Sequence, residues 1–169
     1  MKSSAIALRI GIGFVLVAVI SLCASPAHAQ YTITFNITDQ DGTTNTYTPF
    51  SYVWGPLDAP TPKGVSDELT FTRPTDITGA ELMKAAQSKQ SFASADLEVQ
   101  LQGTSAVSIQ MTGVQIKSVR ESTDLTNPGH AIPLESVTLT FDSVDYTFQP
   151  LTPTGQKAGP PVTFTVKFH

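Results

Sequence analysis

One change of hydrophobic period, between residues 69 and 89, constrains the fold more than any other feature of the chain. Leu69 and Phe71 alternate with threonines, which predicts a strand. Pro74 ends this strand because proline has no N–H to donate to a sheet ladder. From Thr78 to Lys89 the apolar residues instead recur every three or four positions, which predicts an amphipathic helix. The sequence therefore places one helix among strands.

A capping box predicts where this helix begins. Thr78 and Glu81 have the S/T-x-x-E spacing, in which the hydroxyl accepts from the later backbone N–H and the carboxylate reaches back to the earlier one. Leu82, Ala85 and Ala86 then form an apolar side. We expect this helix to cover the open end or the face of a β-barrel or sandwich.

The N-terminal stretch has the pattern of a secretory signal peptide. A basic segment precedes an apolar run from Ile10 to Leu22, and an A-x-A cleavage site ends at Ala29. The run is short for a membrane span, although an uncleaved anchor is the alternative. The sequence predicts a leader over residues 1–29 and one mature domain over residues 30–169. That domain would be secreted or periplasmic, without stable membrane insertion after cleavage.

Composition restricts the chemistry and the partners of the mature chain. The only cysteine, Cys23, lies in the leader, so no disulfide can brace the mature domain. Loss of the two bases in the leader moves the formal net charge from −4 to −6. An acidic domain is poorly suited to nucleic acid or to an anionic membrane surface.

Period-2 alternation predicts the remaining strands. The clearest runs are Tyr31 to Thr38 and Val162 to Phe168, with a further strand from Tyr47 to Trp54. Similar runs lie near residues 92–101, 107–116 and 137–148.

The alternation changes phase at two places. A slip at Gly113 predicts a β-bulge. A second slip at Asp142-Ser143 fits one long bulged strand better than a tight hairpin. Because bulges let a sheet curl, the sequence predicts a mainly β fold: a curved barrel or sandwich of about eight strands with one α-helix.

Two polar segments are predicted to be turns or loops. Asp39 to Gly42 has turn chemistry and also resembles part of a calcium loop, but no glutamate follows at the offset that a full loop requires. Residues 120–134 carry the turn signal Asn127-Pro128-Gly129 and are expected to form a loop.

The mature chain lacks any recognisable catalytic constellation. Its two histidines, His130 and His169, have no cysteine, histidine cluster or G-x-S-x-G motif to act with. The sequence therefore predicts a protein that is not an enzyme, with no catalytic residues, no cofactor and no metal site.

Taken together, the order of elements resembles the haemolysin-coregulated protein (Hcp) family, the tube proteins of bacterial type VI secretion systems. The resemblance covers nearly all of residues 31–168 and depends on the order of several weak motifs. These motifs are Phe50-Ser51-Tyr52-Val53-Trp54-Gly55, Leu69, Phe71, Arg73-Pro74, Asp76, Leu82, Ser88-Lys89, Glu135 to Phe141 and Val144 to Phe148.

The resemblance implies how the protein works. It implies a curved, barrel-like domain that assembles with copies of itself into six-membered rings around a channel, with small secreted effector proteins as cargo. It also implies that the proline-rich segment after the second strand reaches a neighbouring subunit. The candidate contact residues are Pro56, Leu57, Asp58, Pro60, Pro62, Lys63 and Val65.

Two features leave other functions open. The family's tube-building members assemble in the cytoplasm without a leader, so the predicted signal peptide departs from their pattern. The chain could alternatively be a secreted β-sandwich binding module, in which Tyr52 or Trp54 stacks on a sugar or another ligand. Packing of Trp54 in the core is the simpler interpretation of that residue.

Overall fold

The structure, a computed structural model, describes residues 31–54, 67–124 and 132–168. The predicted leader, all seven candidate contact residues, the Asn127-Pro128-Gly129 turn and both histidines of the mature chain lie outside these ranges.

Nine strands and one helix occur in the described residues. They are β1 (Tyr31–Thr38), β2 (Thr44–Tyr47), β3 (Ser51–Val53), β4 (Glu68–Pro74), α1 (Gly79–Ser88), β5 (Ser91–Leu101), β6 (Thr104–Asp124), β7 (Ile132–Thr140), β8 (Ser143–Phe148) and β9 (Val162–Lys167). The prediction of a mainly β fold with a single helix is confirmed.

All strands belong to one antiparallel sheet. Hydrogen bonds join them in the order β2-β1-β5-β6-β7-β4-β3, while β8 pairs with the first half of β6 and with β9. This path is open, yet the sheet is strongly curved, because strands far apart in the order come into contact. The ring centroids of Phe35 on β1 and Phe71 on β4 are 4.4 Å apart.

The core lies inside this curve and is closed on one side by α1. Leu82 and Ala85 of the helix are buried in the same cluster as the inward residues of the strands. The largest buried apolar side chains are Phe35, Ile37, Leu69, Phe71, Leu97, Ile109, Met111 and Leu139. The helix therefore covers the core, as the apolar side of its sequence predicts.

The predicted strand from Tyr47 to Trp54 is wrong, because the structure divides it into β2 and β3. β2 pairs with β1 at one end of the sheet order, and β3 pairs with β4 at the other end. Pro49 lies between them and has no N–H for a ladder. The N–H of Phe50 instead donates to the carbonyl of Thr72 at 2.8 Å. The short link thus carries the chain from one end of the sheet to the other.

The predicted bulge at Gly113 is also wrong. The β5–β6 pairing keeps one register from Ser91↔Gln115 to Val99↔Val107, and it shifts only beyond Val99. The β6–β7 register shifts between Ile116 and Ser118. The phase slip at Gly113 does reflect a structural change. At Gly113 a different set of side chains begins to face the core, but no extra residue is inserted into the strand.

A crease in the sheet explains the slip at Gly113. In three neighbouring strands, the face that points to the core switches to the other side of the strand at the same height in the sheet. At the switch, successive buried positions are three residues apart instead of two. These pairs are Phe92 and Ala95 on β5, Met111 and Val114 on β6, and Phe141 and Val144 at the β7–β8 junction. Gly113 has φ +63° at this crease, a conformation that glycine adopts without cost.

The segment from residue 137 to residue 148 follows the preferred prediction. β7 and β8 run in the same direction along successive halves of β6, and a short break at Phe141-Asp142 separates them. The tight hairpin is therefore excluded. The N–H of Asp142 donates to the carbonyl of Thr112 at 2.9 Å, which holds the break against β6.

The predicted loop over residues 120–134 is too long. β6 extends to Asp124 and β7 begins at Ile132, and the two strands pair along this whole length. Arg120, Glu121 and Ser122 are exposed, so polar residues here indicate a solvated hairpin rather than a loop. The predicted turn from Asp39 to Gly42 is confirmed by the bond from Gly42 N–H to Asp39 C=O, at 3.0 Å.

We predict that Gly113→Ala destabilises the domain more than Gly42→Ala does. Both glycines have positive φ, which costs an alanine about 1–2 kcal/mol. A Cβ at Gly113 would also lie 2.1 Å from Asp142 Oδ2 and 2.9 Å from Asp142 Cβ, whereas nothing lies within 4 Å at Gly42. The added loss should be about 1–3 kcal/mol, measured by urea unfolding. Equal losses for the two variants would contradict this account of the crease.

Candidate functional site

Two features of the described residues stand out as candidate sites. One is an apolar strip on the β8–β9 hairpin, and the other is a buried charged cluster under the start of α1.

The apolar strip begins at an aromatic cluster around Trp54. The Trp54 ring lies 5.6 Å from Tyr146 and 6.2 Å from Phe164, measured between centroids, and Tyr146 and Phe164 stack at 4.9 Å. The cluster packs against the core. Packing is thus the interpretation that the structure supports for Trp54, rather than a ring presented to a ligand.

Burial decreases along one face of this hairpin. The cross-strand pairs Val144↔Val166, Tyr146↔Phe164 and Phe148↔Val162 share that face. Val144 is buried, but Phe148, Val162 and Phe164 are 41%, 58% and 42% exposed. We call these three residues the apolar strip.

The strip lies on an edge of the sheet. Among the described strands, β9 pairs only with β8, so its second edge has no ladder partner there. An exposed edge strand with apolar side chains is a template for pairing with another chain. Alternation predicted these residues as ordinary inward positions of strands. It did not indicate that the β8–β9 hairpin extends past the end of the buried core.

The two described residues that flank segment 55–66 lie at opposite ends of β8. Trp54 precedes the segment and packs on Tyr146 and Phe164, next to the apolar strip. Asp67 follows it, and its carbonyl accepts from the N–H of Phe141, at the break between β7 and β8, at 3.3 Å.

The charged cluster is centred on Arg73 and Glu135, which lie opposite each other on β4 and β7. Arg73 Nε donates to Glu135 Oε1, and the two residues are only 3% and 0% exposed. The guanidinium carbon also lies 4.6 Å from the centre of the Tyr47 ring on β2, a cation–π contact. Burial raises the pKa of the Tyr47 hydroxyl, so the ring stays neutral beside the cation.

The same guanidinium holds the segment before α1. Arg73 Nη2 donates to Asp76 Oδ1 at 3.0 Å and to Thr78 Oγ1 at 2.8 Å. Hydrogen bonds from Thr78, and the charge of Arg73, hold the pKa of Asp76 below its ordinary value. The carboxylate therefore stays ionised at neutral pH.

The predicted capping box at Thr78 and Glu81 is wrong. The Thr78 hydroxyl does not cap the helix; it donates to Asp76 Oδ1 at 2.6 Å. The Thr78 N–H donates to the same oxygen at 2.8 Å, so it is not available to Glu81. The Asp76 carboxylate is fixed beside Thr78 by Arg73, and Arg73 is itself held by Glu135 on β7. The contact with Glu135 joins residues distant in sequence, so the local spacing could not reveal it.

The role of this cluster is structural. A carboxylate with no exposed surface cannot meet a substrate, and the arginine beside it is nearly as buried. Among the residues that the structure describes, no group of three or more His, Cys, Asp or Glu side chains is placed to hold a metal ion. The same residues include no helix with the length and apolarity needed to cross a membrane.

We predict that the Arg73–Glu135 pair behaves as a buried ion pair. Arg73→Met alone should cost about 3–5 kcal/mol of unfolding free energy, because it leaves the buried Glu135 carboxylate without a countercharge. Glu135→Leu should cost less, since Arg73 keeps its pair with Asp76. The double variant should cost less than the sum of the two single ones, since both charges are gone. Denaturant unfolding of the four proteins measures the cycle.

The control for this cycle is Lys117→Met. Lys117 pairs with Glu68 on the same sheet, but both side chains are well exposed, so the loss should be only about 0.2–1 kcal/mol. A double variant that loses as much as the sum of the single variants would contradict the coupling.

Comparisons with known proteins agree with this fold. A family model described as "Type VI secretion system effector, Hcp" matches residues 57–148, more than half of the chain. A search of curated proteins found no match to the sequence.

Solved Hcp structures share the fold at low sequence identity. Hcp1 from Salmonella typhimurium is 19% identical with a TM-score of 0.61, over 82% of this chain and 95% of that one. A type VI secretion system effector from Yersinia pestis is 15% identical with a TM-score of 0.61, over 80% and 99%. The secreted protein Hcp3 from Pseudomonas aeruginosa is 9% identical with a TM-score of 0.64, over 83% and 99%. With the family match over more than half of its length, this chain belongs to the Hcp family of type VI secretion system proteins.

Proposed function

We propose that this protein is a structural subunit without catalytic activity, which assembles with copies of itself into a ring. The observation that carries the proposal is the apolar strip of Phe148, Val162 and Phe164 on an edge of the sheet. Single exposed apolar residues are common on soluble proteins, but a contiguous apolar face on an edge strand marks an interaction surface. A second subunit would cover the strip and the open edge together.

The proline-rich segment supplies the other half of the proposed contact. Its residues Pro56, Leu57, Asp58, Pro60, Pro62, Lys63 and Val65 would reach the neighbouring subunit. Trp54, which precedes the segment, packs on Tyr146 of β8, and this supports the role. Its prolines reduce the conformational entropy that is lost on ordering. A six-membered ring is the number that the family resemblance implies.

The position of the charged groups supports a subunit without catalytic activity. Arg73 and Glu135, which form the charged cluster in the described residues, are buried and bonded to each other. Small secreted effector proteins are the partners that a ring with a channel would carry, and no nucleic acid or cofactor is part of the proposal.

We predict that residues 30–169 form an oligomer and that Val162→Lys dissociates it. The new ammonium would have to be desolvated at the subunit contact, whereas in the monomer it would be solvated. Size-exclusion chromatography with light scattering at micromolar concentrations measures the assembly, and circular dichroism checks the fold.

The matched control is Thr163→Lys, one residue along on the polar face of the same strand. This variant should assemble like the wild type. A monomeric wild type would remove the ring, and an oligomeric Val162→Lys would remove the strip as its interface.

We also propose that the leader over residues 1–29 exports the protein through the general secretory route, so that residues 30–169 are the mature domain. Such a protein would join a ring after export, in the periplasm or outside the cell, rather than in the cytoplasm.

We predict that the exported protein begins at Gln30. N-terminal sequencing of the protein from the periplasm or the medium measures this directly. Ala29→Phe should accumulate uncut, because the enzyme that removes leaders needs a small residue there. His28→Phe should be cut normally, since the middle position of A-x-A is variable. Intact Met1 in the soluble fraction would contradict export by this route.

A further inference from the structure

Two buried side-chain oxygens in the described part of the chain lack a hydrogen-bond partner: Thr75 Oγ1 and Glu135 Oε2. The Glu135 case is the more demanding, because a carboxylate oxygen only accepts and its whole residue has no exposed surface. The other oxygen of the same carboxylate, Oε1, accepts a hydrogen bond from Arg73 Nε. A buried acceptor without a donor destabilises the fold, and the cost is larger when the acceptor is charged. A donor is therefore expected at Oε2.

The strand register makes Thr75 and Glu135 neighbours. Arg73 lies opposite Glu135, and the N–H of Thr75 donates to the carbonyl of Pro133 at 3.0 Å, so the pairing continues past the end of β4. Thr75 and Glu135 are thus diagonal neighbours on one face of the sheet. The Cα atoms of such pairs are about 7–8 Å apart, and the glutamate side chain spans part of that distance. One small bridging molecule can join the two oxygens.

Gly79, the first residue of α1, packs directly against this carboxylate. A Cβ at Gly79 would lie 2.5 Å from Glu135 Oε2 and 3.3 Å from its carboxyl carbon. The N–H of Gly79 is bonded to the carbonyl of Asp76 at 3.0 Å, so it does not supply the donor. The first turn of the ten-residue helix thus lies against the carboxylate without bonding to its Oε2.

We propose that one ordered water molecule binds between β4, β7 and the start of α1. It donates one hydrogen to Glu135 Oε2 and forms a second hydrogen bond with Thr75 Oγ1. A buried water needs two to four polar partners, and this site offers two acceptors, one of which is also a donor. A metal cation does not suit the site, because Arg73 already places a positive charge on the same carboxylate.

This water would add a link between β7 and the segment that leads from β4 to α1. The ion pair of Arg73 and Glu135 joins β4 to β7, and Asp76 and Thr78 join Arg73 to the helix. The inference concerns how the subunit holds its shape, and it is independent of ring formation.

The test compares two substitutions of one residue in the mature protein. Thr75→Val keeps the shape of the side chain but removes the hydroxyl, and Thr75→Ser keeps the hydroxyl. Because a water with one partner is held weakly, Thr75→Val should reduce the folding equilibrium constant about tenfold relative to Thr75→Ser. Urea unfolding measures both variants under one set of conditions.

A high-resolution crystal structure of the wild type is the direct observation. It should show a water within hydrogen-bond distance of both Thr75 Oγ1 and Glu135 Oε2, and Gly79→Ala should lack it. If Gly79→Ala fails to fold, the wild-type structure and the Thr75 pair still decide. A direct bond from Thr75 Oγ1 to Glu135 Oε2, or equal stability of Thr75→Val and Thr75→Ser, would overturn the proposal.

Discussion

The contact between Arg73 and Glu135 is the interaction on which the shape of the subunit depends. One guanidinium reaches Glu135 on β7, the ring of Tyr47 on β2, and Asp76 and Thr78 at the start of α1. β2 and β4 lie far apart in the hydrogen-bonded order of the sheet, yet both touch this group. A buried ion pair contributes little net stability compared with an apolar pair. Its effect here is to require one arrangement of sheet ends and helix, because any other arrangement would leave a buried charge without its partner.

Besides the contacts of Arg73, the crease also contributes to the curvature of the sheet. Where β5, β6 and the β7–β8 junction exchange their buried sides together, Gly113 faces Asp142 so closely that a Cβ there would displace the Asp142 side chain. The sequence showed two of these three changes, at Gly113 and at Asp142-Ser143, because alternation is a local property that a phase slip interrupts visibly. It could not show that the slips lie side by side, since that follows from strand register. For the same reason the true register shifts, beyond Val99 and at Ile116 to Ser118, left no readable signal.

The candidate site was less accessible from the sequence than the fold. Val162 and Phe164 alternate with polar residues just as Val137 and Leu139 do, yet the first two are exposed and the last two are buried. Alternation reports that a strand has an apolar face; what covers that face is decided by other elements. Similarly, Thr78 and Glu81 match a helix-capping motif, but Arg73, held in place by the distant Glu135, directs the hydrogen bonds of Thr78 to Asp76. Local patterns failed where a partner remote in sequence determined the outcome.

The two faces of the sheet differ in a way that gives assembly a direction. On the polar face, hydroxyl groups of neighbouring strands bond to each other, as in Thr70 with Thr138 at 2.9 Å and Thr112 with Ser143 at 2.6 Å. A face whose polar groups satisfy one another has little to gain from a partner. The β8–β9 edge has the opposite character, with apolar side chains in water and a backbone edge that no described strand covers. In the proposed ring, this contrast would make the edge one of the two surfaces that meet at each subunit contact, and the ring closes when the second surface lies at a fixed angle to the edge. The shape of the subunit sets that angle, so the buried contacts of Arg73 would determine how many copies the ring holds.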